Sequence, residues 1–212
     1  MSFLVVGLLH IVVVLLNFQN DGSQPFSPAE AEARMGSVAA FYSAESGGQV
    51  TFENVVEGWV TIADTNEGCD IYNWAALAND TIDTITYDHI IYVPSSAPGC
   101  LPKADQGGSR VWIPAPRFYL DPISHELGHN FGLQHANALS CVDGSGFRVT
   151  ISETCQSLEY FDYYATMGLG TGFSAYEKAA LGWATPTTVT KSGIYALPVR
   201  VPRTTSARLG VT

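Results

Sequence analysis

Positive charge is nearly missing from this sequence. Ten Lys and Arg residues stand against 20 Asp and Glu, and four of the ten (Lys191, Arg200, Arg203 and Arg208) lie beyond residue 190. Residues 1–190 therefore carry six basic groups against 20 acidic ones, a net of −14. Such a body has no field to gather phosphates, which argues against nucleic acid and anionic membranes as partners. Long apolar runs are missing too. The N-terminal one, Phe3 to Leu16, is shorter than the about 20 residues a spanning helix needs, so no stable membrane insertion is expected. It also lacks the marks of a signal peptide, since no Lys or Arg precedes Arg34 and Asn17-Phe18-Gln19-Asn20 is a poor cleavage motif. Residues 10–18, HIVVVLLNF, read better as a buried central strand, with a turn at Asn20-Asp21-Gly22, and an uncleaved or vestigial signal is the alternative. No two of the four cysteines are spaced CxxC, which argues against a cysteine-only zinc site. Two disulfides are the simpler account, and they imply an oxidising compartment. Of the three pairings we favour Cys141–Cys155 and Cys69–Cys100. The first closes a loop of about 15 residues, worth roughly 3 kcal/mol.

What is present is enough for one main domain: 212 residues, 46% of them hydrophobic. Ser27 and Pro28 open a helix that Gly47-Gly48 ends, with Ala33, Met35, Val38, Phe41 and Tyr42 near one face. Residues 50–62 read as one or two strands, 70–80 as a second helix, and YDHIIYVPS as a strand stopped by Pro94. After a loop over 95–108 comes a short strand, SRVWI. This alternation predicts an α+β chain with an α/β-type mixed sheet flanked by helices. Asp121 is expected to cap a further helix with Pro122 at its first position, and Gly132 to end it. Residues 136–166 read mostly as loop, and 173–183 as a final short helix capped by Ser174. From 184 to 212 the composition shifts to Thr, Pro and Val, which we read as a linker and the start of a β-type C-terminal extension. The main domain is then 1–183.

The helix opened by Asp121 carries the chemistry. In His125-Glu126-Leu127-Gly128-His129 the two imidazoles are four residues apart, hence on one face and one turn apart. Two ligands leave zinc short. Gly132 can take positive φ and turn the chain back, so that His135 returns a third imidazole to the same ion. Three neutral nitrogens and one open position form a catalytic zinc site rather than a closed structural one. Glu126, beside the first ligand, is the candidate general base. The other histidines, His10 and His89, lie in strand-like runs and read as packed or edge residues. Asn130 and Gln134 read as solvent or loop contacts.

HELGHNFGLQH resembles the metzincin clan of zinc peptidases, and the chain is similar within it to the gametolysin family, secreted proteases of algal cell-wall glycoproteins with bacterial relatives. The likeness extends to HIVVVLLNFQN with FSPAEAEA, SVAAFYSAESGGQVTFENVVEGWV, YDHIIYVP, GSRVWI, HANALSC, EYFDYYATMG and FSAYEKAALGW, about residues 10–183. It implies a metzincin-like zincin fold, a twisted mixed sheet with an active-site helix and a C-terminal subdomain containing a Met-turn. Met167 is then the methionine beneath the imidazoles, a hydrophobic floor and not a ligand. Phe161 stands where the family has Gly after its Glu-Tyr pair. Leu169 stands two residues beyond the Met, where two clan families place a Tyr, leaving Tyr160, Tyr163 and Tyr164 as candidate oxyanion donors. Asp162 is a candidate carboxylate behind a ligand imidazole, with a local Asx turn as the alternative.

The expectation is a monomeric, secreted or extracellular zinc endopeptidase with one catalytic Zn2+, acting on polypeptide or glycoprotein substrates. A structural Ca2+ has no compact acidic loop to support it. The rival readings are a noncatalytic zinc-containing module that binds surface glycoproteins, and a cytosolic zinc hydrolase of small peptides. Glu126 argues against the first, because a structural site needs no base. The cysteines argue against the second.

Overall fold

The computed structural model describes residues 4–152 and 154–185. The proposed C-terminal extension falls almost wholly outside them. Five strands form one sheet in the order β2-β1-β3-β5-β4. β1 (Gly7–Phe18) is a long interior strand, paired in parallel with β2 (Val50–Ile62) on one side and β3 (His89–Pro94) on the other. β3 pairs in parallel with β5 (Arg110–Trp112), and only the edge strand β4 (Lys103–Ala104) runs antiparallel. The strand read at 10–18 is thus present and begins three residues earlier. Residues 50–62 form one strand, and β4 lies inside what read as a loop.

Parallel neighbours need crossovers, and the helices supply them. α1 (Pro28–Ser46) joins β1 to β2, and α2 (Ile71–Asn79) lies between β2 and β3. α1 begins as its sequence requires: Ser27 Oγ accepts from the Glu30 amide while Glu30 accepts from the Ser27 amide, a reciprocal capping box. Gly47 ends it at φ 68°. Ala31, not Ala33, joins Met35, Val38 and Tyr42 on the buried face.

Alternation along β1 sends side chains to both faces. Ile11, Val13 and Leu15 join a core with Met35, Tyr42, Leu127 and Met167, on the face that carries α1 and α3 (Leu120–Asn130). Val12, Val14, Leu16 and Phe18 join a second core with Trp74, Tyr92 and Trp112, under α2. Burial on both faces explains the unbroken apolar run, each large side chain contributing about 1.5–3 kcal/mol relative to exposure.

Beyond α3 the chain is less regular. β6 (Ala138–Ser140) and β7 (Gln156–Leu158) form a small antiparallel hairpin where loop was expected. Cys141–Cys155 closes it, and Cys69–Cys100 ties the start of α2 to the loop after β3. α4 (Ala175–Ala180) opens with a second capping box, Ser174 with Glu177, and Trp183 then donates from Nε1 to the Val5 carbonyl, returning the chain to the front of β1. The expected mixed sheet, histidine-bearing helix on one face and irregular C-terminal part are all present. No helix among the described residues is long and apolar enough to cross a membrane.

Candidate metal centre

α3 begins at Leu120, with Tyr119 in the capping position and no side-chain cap. This corrects the expectation for Asp121, which sits inside the first turn, where its charge still favours the helix dipole. The helix is pinned from three sides. Tyr42, wholly buried, donates from its hydroxyl to the Ser124 carbonyl at 2.8 Å. Asn130 donates from Nδ2 to the carbonyls of Asp105 and Arg110 at 2.9 and 3.0 Å, and faces His89 Nδ1 through Oδ1 at 3.1 Å. Asn130 is therefore a buried tie to the β4–β5 edge, not a solvent contact. Gly107 donates to the His129 carbonyl, so the same edge clasps the helix end.

The helix stops as Gly132 permits. At φ 92° its amide bonds the His129 carbonyl, and the Leu133 amide bonds that of Gly128, the two bonds of a Schellman turn. The Leu133 carbonyl is left facing back toward the helix, and His129 Nδ1 donates to it at 2.8 Å. One glycine thus turns the chain toward His135 and orients His129.

His125, His129 and His135 each offer a ring nitrogen within 4.8 Å of the others, the sole such His/Cys/Asp/Glu group among the described residues. Their Nδ1 atoms are all taken: His125 donates to the Thr166 carbonyl at 2.8 Å, His129 to Leu133, and His135 to Glu159 Oε1 at 2.6 Å. A carbonyl can only accept, so the first two imidazoles carry their proton on Nδ1 and present a lone pair at Nε2. The Glu159 carboxylate sets His135 the same way. Nε2 of His129 and of His135 are 3.0 Å apart. Two ring nitrogens thus face each other at that distance, an arrangement that a cation bound by both would satisfy. Tetrahedral zinc at bonds of about 2.0–2.1 Å separates its nitrogens by roughly 3.3 Å. The donor set fits such an ion. Burial lowers the pKa of His125 to about 4 and holds that of His129 below its ordinary value, so both are neutral imidazoles at neutral pH.

Glu126 is 7% exposed, and burial alone raises its pKa to about 7, with no offsetting cation or donor of the chain. A carboxylate so poised exchanges a proton readily near neutrality.

No protein-family model matches the chain, and no curated protein matches it. Among solved structures it is similar to archaemetzincin from Methanopyrus kandleri, at 18% identity and a TM-score of 0.44 over 82% of this chain and 94% of that one. It is similar also to a chaperone-substrate complex, at 15% identity and a TM-score of 0.45 over 80% of this chain and 32% of that one. A third likeness is to high choriolytic enzyme 1, a hatching-enzyme zinc protease from the medaka fish Oryzias latipes, at 13% identity and a TM-score of 0.36 over 82% and 88%. All three lie below a TM-score of 0.5, and the chain's own histidine geometry carries the functional reading. The resemblance to gametolysins rests on the sequence motifs.

Met167 is fully buried against Gly128 of α3, with its backbone carbonyl accepting from the Ala136 amide just past His135. It lies next to Thr166, whose carbonyl takes the His125 proton. Of the three tyrosines, Tyr160 alone reaches the triad: its ring centroid is 3.8 Å from that of His135 and 6.0 Å from that of His125. Burial and the charges of Glu159 and Glu126 raise its pKa. Tyr163 and Tyr164 are exposed and make no ring contact with the histidines. Asp162 does not hold an imidazole. Its carboxylate accepts from the amides of Tyr164 at 2.8 Å and Ala165 at 3.3 Å, the Asx-turn alternative. The carboxylate behind an imidazole of the triad is Glu159, which the sequence reading missed. His89 is buried against Phe131, and His10 is an exposed edge residue between Glu53 and Asp88, so neither belongs to the site.

Proposed function

We propose that the chain is a zinc-dependent endopeptidase of extracellular or cell-wall proteins, with His125, His129 and His135 holding one Zn2+ and Glu126 as general base. The observation that carries this reading is the convergence of His125, His129 and His135, one ring nitrogen of each within 4.8 Å of the others, beside the buried carboxyl group of Glu126. Zinc in that cradle supplies Lewis acidity to the scissile carbonyl and to the attacking water. Glu126 takes the proton as the water attacks the carbonyl carbon, then hands it to the departing amine nitrogen, so the carboxylate is regenerated with the C–N bond broken. Tyr160, beside the triad, supplies the hydroxyl that faces the developing oxyanion. Met167 gives the imidazoles an apolar floor without binding the ion. Two disulfides fit an oxidising, extracellular setting.

The test is zinc content and cleavage of a denatured protein substrate, for wild type and Glu126→Ala together. About one zinc in each, with cleavage by the wild type alone, is the expected result. Zinc in both and cleavage by neither, after metal removal and readdition, transfers the assignment to a noncatalytic zinc module.

A further inference from the structure

His125 and His129 sit on a helix, where the backbone fixes their direction. His135 follows the glycine turn on irregular chain and has no such support. Its fixing comes from elsewhere. β6 begins three residues after His135, and β7 ends one residue before Glu159, so pairing Ala138 with Leu158 brings Glu159 back alongside His135. Asn137 ties the two strands further, accepting from the Tyr160 amide and donating to Ser157 Oγ. Cys141–Cys155 closes the hairpin immediately beyond its last paired residues, Ser140 and Gln156.

Adjacent side chains in extended backbone point to opposite sides. Glu159 and Tyr160 instead meet the same imidazole, the carboxylate at the Nδ1 edge at 2.6 Å and the phenol ring over it at a 3.8 Å centroid distance. The left-handed conformation of Tyr160, φ 67°, makes that convergence geometrically available. This backbone state is costly for a residue with a side chain, by about 1–2 kcal/mol, and persists where surrounding structure imposes it.

We propose, resting on the zinc-site reading above, that the disulfide-closed hairpin is a clamp for the third metal ligand and that Glu159 is its positioning residue. The disulfide holds the strand register, the register places Glu159, and Glu159 fixes the tautomer and direction of His135. Metal retention is thereby coupled to the oxidation state of Cys141 and Cys155, two residues that touch neither the metal ligands nor Glu126.

The experiment is zinc competition against a fluorescent chelator on the full chain, with thermal unfolding of each metal-free variant alongside. Glu159→Ala weakens zinc affinity about 10–100-fold, the range for removal of such partners, and Glu159→Gln, which keeps an acceptor, loses less. Cys141→Ser with Cys155→Ser loses affinity by a similar factor. Combined with Glu159→Ala it loses little more, because both changes remove the same constraint. Unchanged affinity in Glu159→Ala overturns the proposal, as do losses that simply multiply. A wild-type chain that binds no zinc overturns the zinc-site reading itself, whereas normal wild-type binding with an indifferent Glu159 overturns the clamp alone. Any loss that tracks the melting temperature of the metal-free variants marks the hairpin as merely structural.

Discussion

The thioether of Met167 lies against Gly128, a position of the histidine helix that carries no side chain. A Cβ built there runs into Met167 Sδ, with Met167 Cε at 3.3 Å and Leu133 Cδ1 at 3.7 Å. The residue between Leu127 and His129 is therefore small because the Met167 side chain reaches the helix backbone. Gly128→Ala gains about 1 kcal/mol of helix propensity, but overpacking a filled core costs roughly 1–3 kcal/mol. We expect a net loss of about 1 kcal/mol in denaturant unfolding. A stabilised variant would mean that Met167 yields freely. Met167→Leu, nearly volume-conserving, is expected to cost less than about 1.5 kcal/mol and to retain zinc.

Gly132→Ala tests the turn that delivers His135. Its φ of 92° is costly for any side chain, about 1–2 kcal/mol. Relief of that strain moves Leu133 and His135 together, so zinc affinity should fall by more than stability does. Equal affinity in the variant, measured by chelator competition, would show that the loop reaches the same place by another path.

Much of this could be read from residue spacing, and the exceptions share a cause. HELGH announces its geometry because i and i+4 lie on one helix face, and Ser27 with Glu30 announces a cap because both partners are local. Asn130 gives no such notice: its burial depends on where β4 and β5 pass, a two-residue and a three-residue strand whose pairing is tertiary. Glu159 was passed over in favour of Asp162 for a related reason. They stand three positions apart, either is near enough in sequence, and the left-handed turn at Tyr160 that accompanies the inward Glu159 is a tertiary feature. A glycine at 160 would have signalled that conformation, and tyrosine conceals it.

Acid should destabilise the fold through His89. Burial holds its pKa below the ordinary value near 6.5, and Asn130, whose amide nitrogen is committed to two carbonyls, accepts its Nδ1 proton. The unfolded chain therefore binds a proton at this site before the folded one does. The contribution is full above about pH 6.5 and is lost as pH falls through the folded value. Melting temperature recorded between pH 7.5 and pH 5 should fall less steeply for His89→Gln than for wild type. Parallel profiles would remove His89 from the account.

Metal removal should lower stability in a way the ligands explain. A ligand at a thousand times its Kd stabilises by about 4 kcal/mol, near 10 °C for a domain of this size at roughly 2–4 °C per kcal/mol. Zinc is expected to raise the melting temperature of the metal-free protein by about that much, and His125→Ala with His129→Ala to abolish the rise. A rise that survives in the double variant would place the ion elsewhere.

The first strand of this sheet is an interior one. β1 has both neighbours downstream, and the sheet is not complete until Arg110–Trp112 has been made. The three histidines follow, and Glu159 and Met167 come later still. During vectorial synthesis the scaffold can begin to assemble while the metal cradle lacks its last wall, and slow, long-range parallel pairing lengthens that interval. The site proposed here is then completed only after the sheet, because Glu159 and Met167 follow every strand of it.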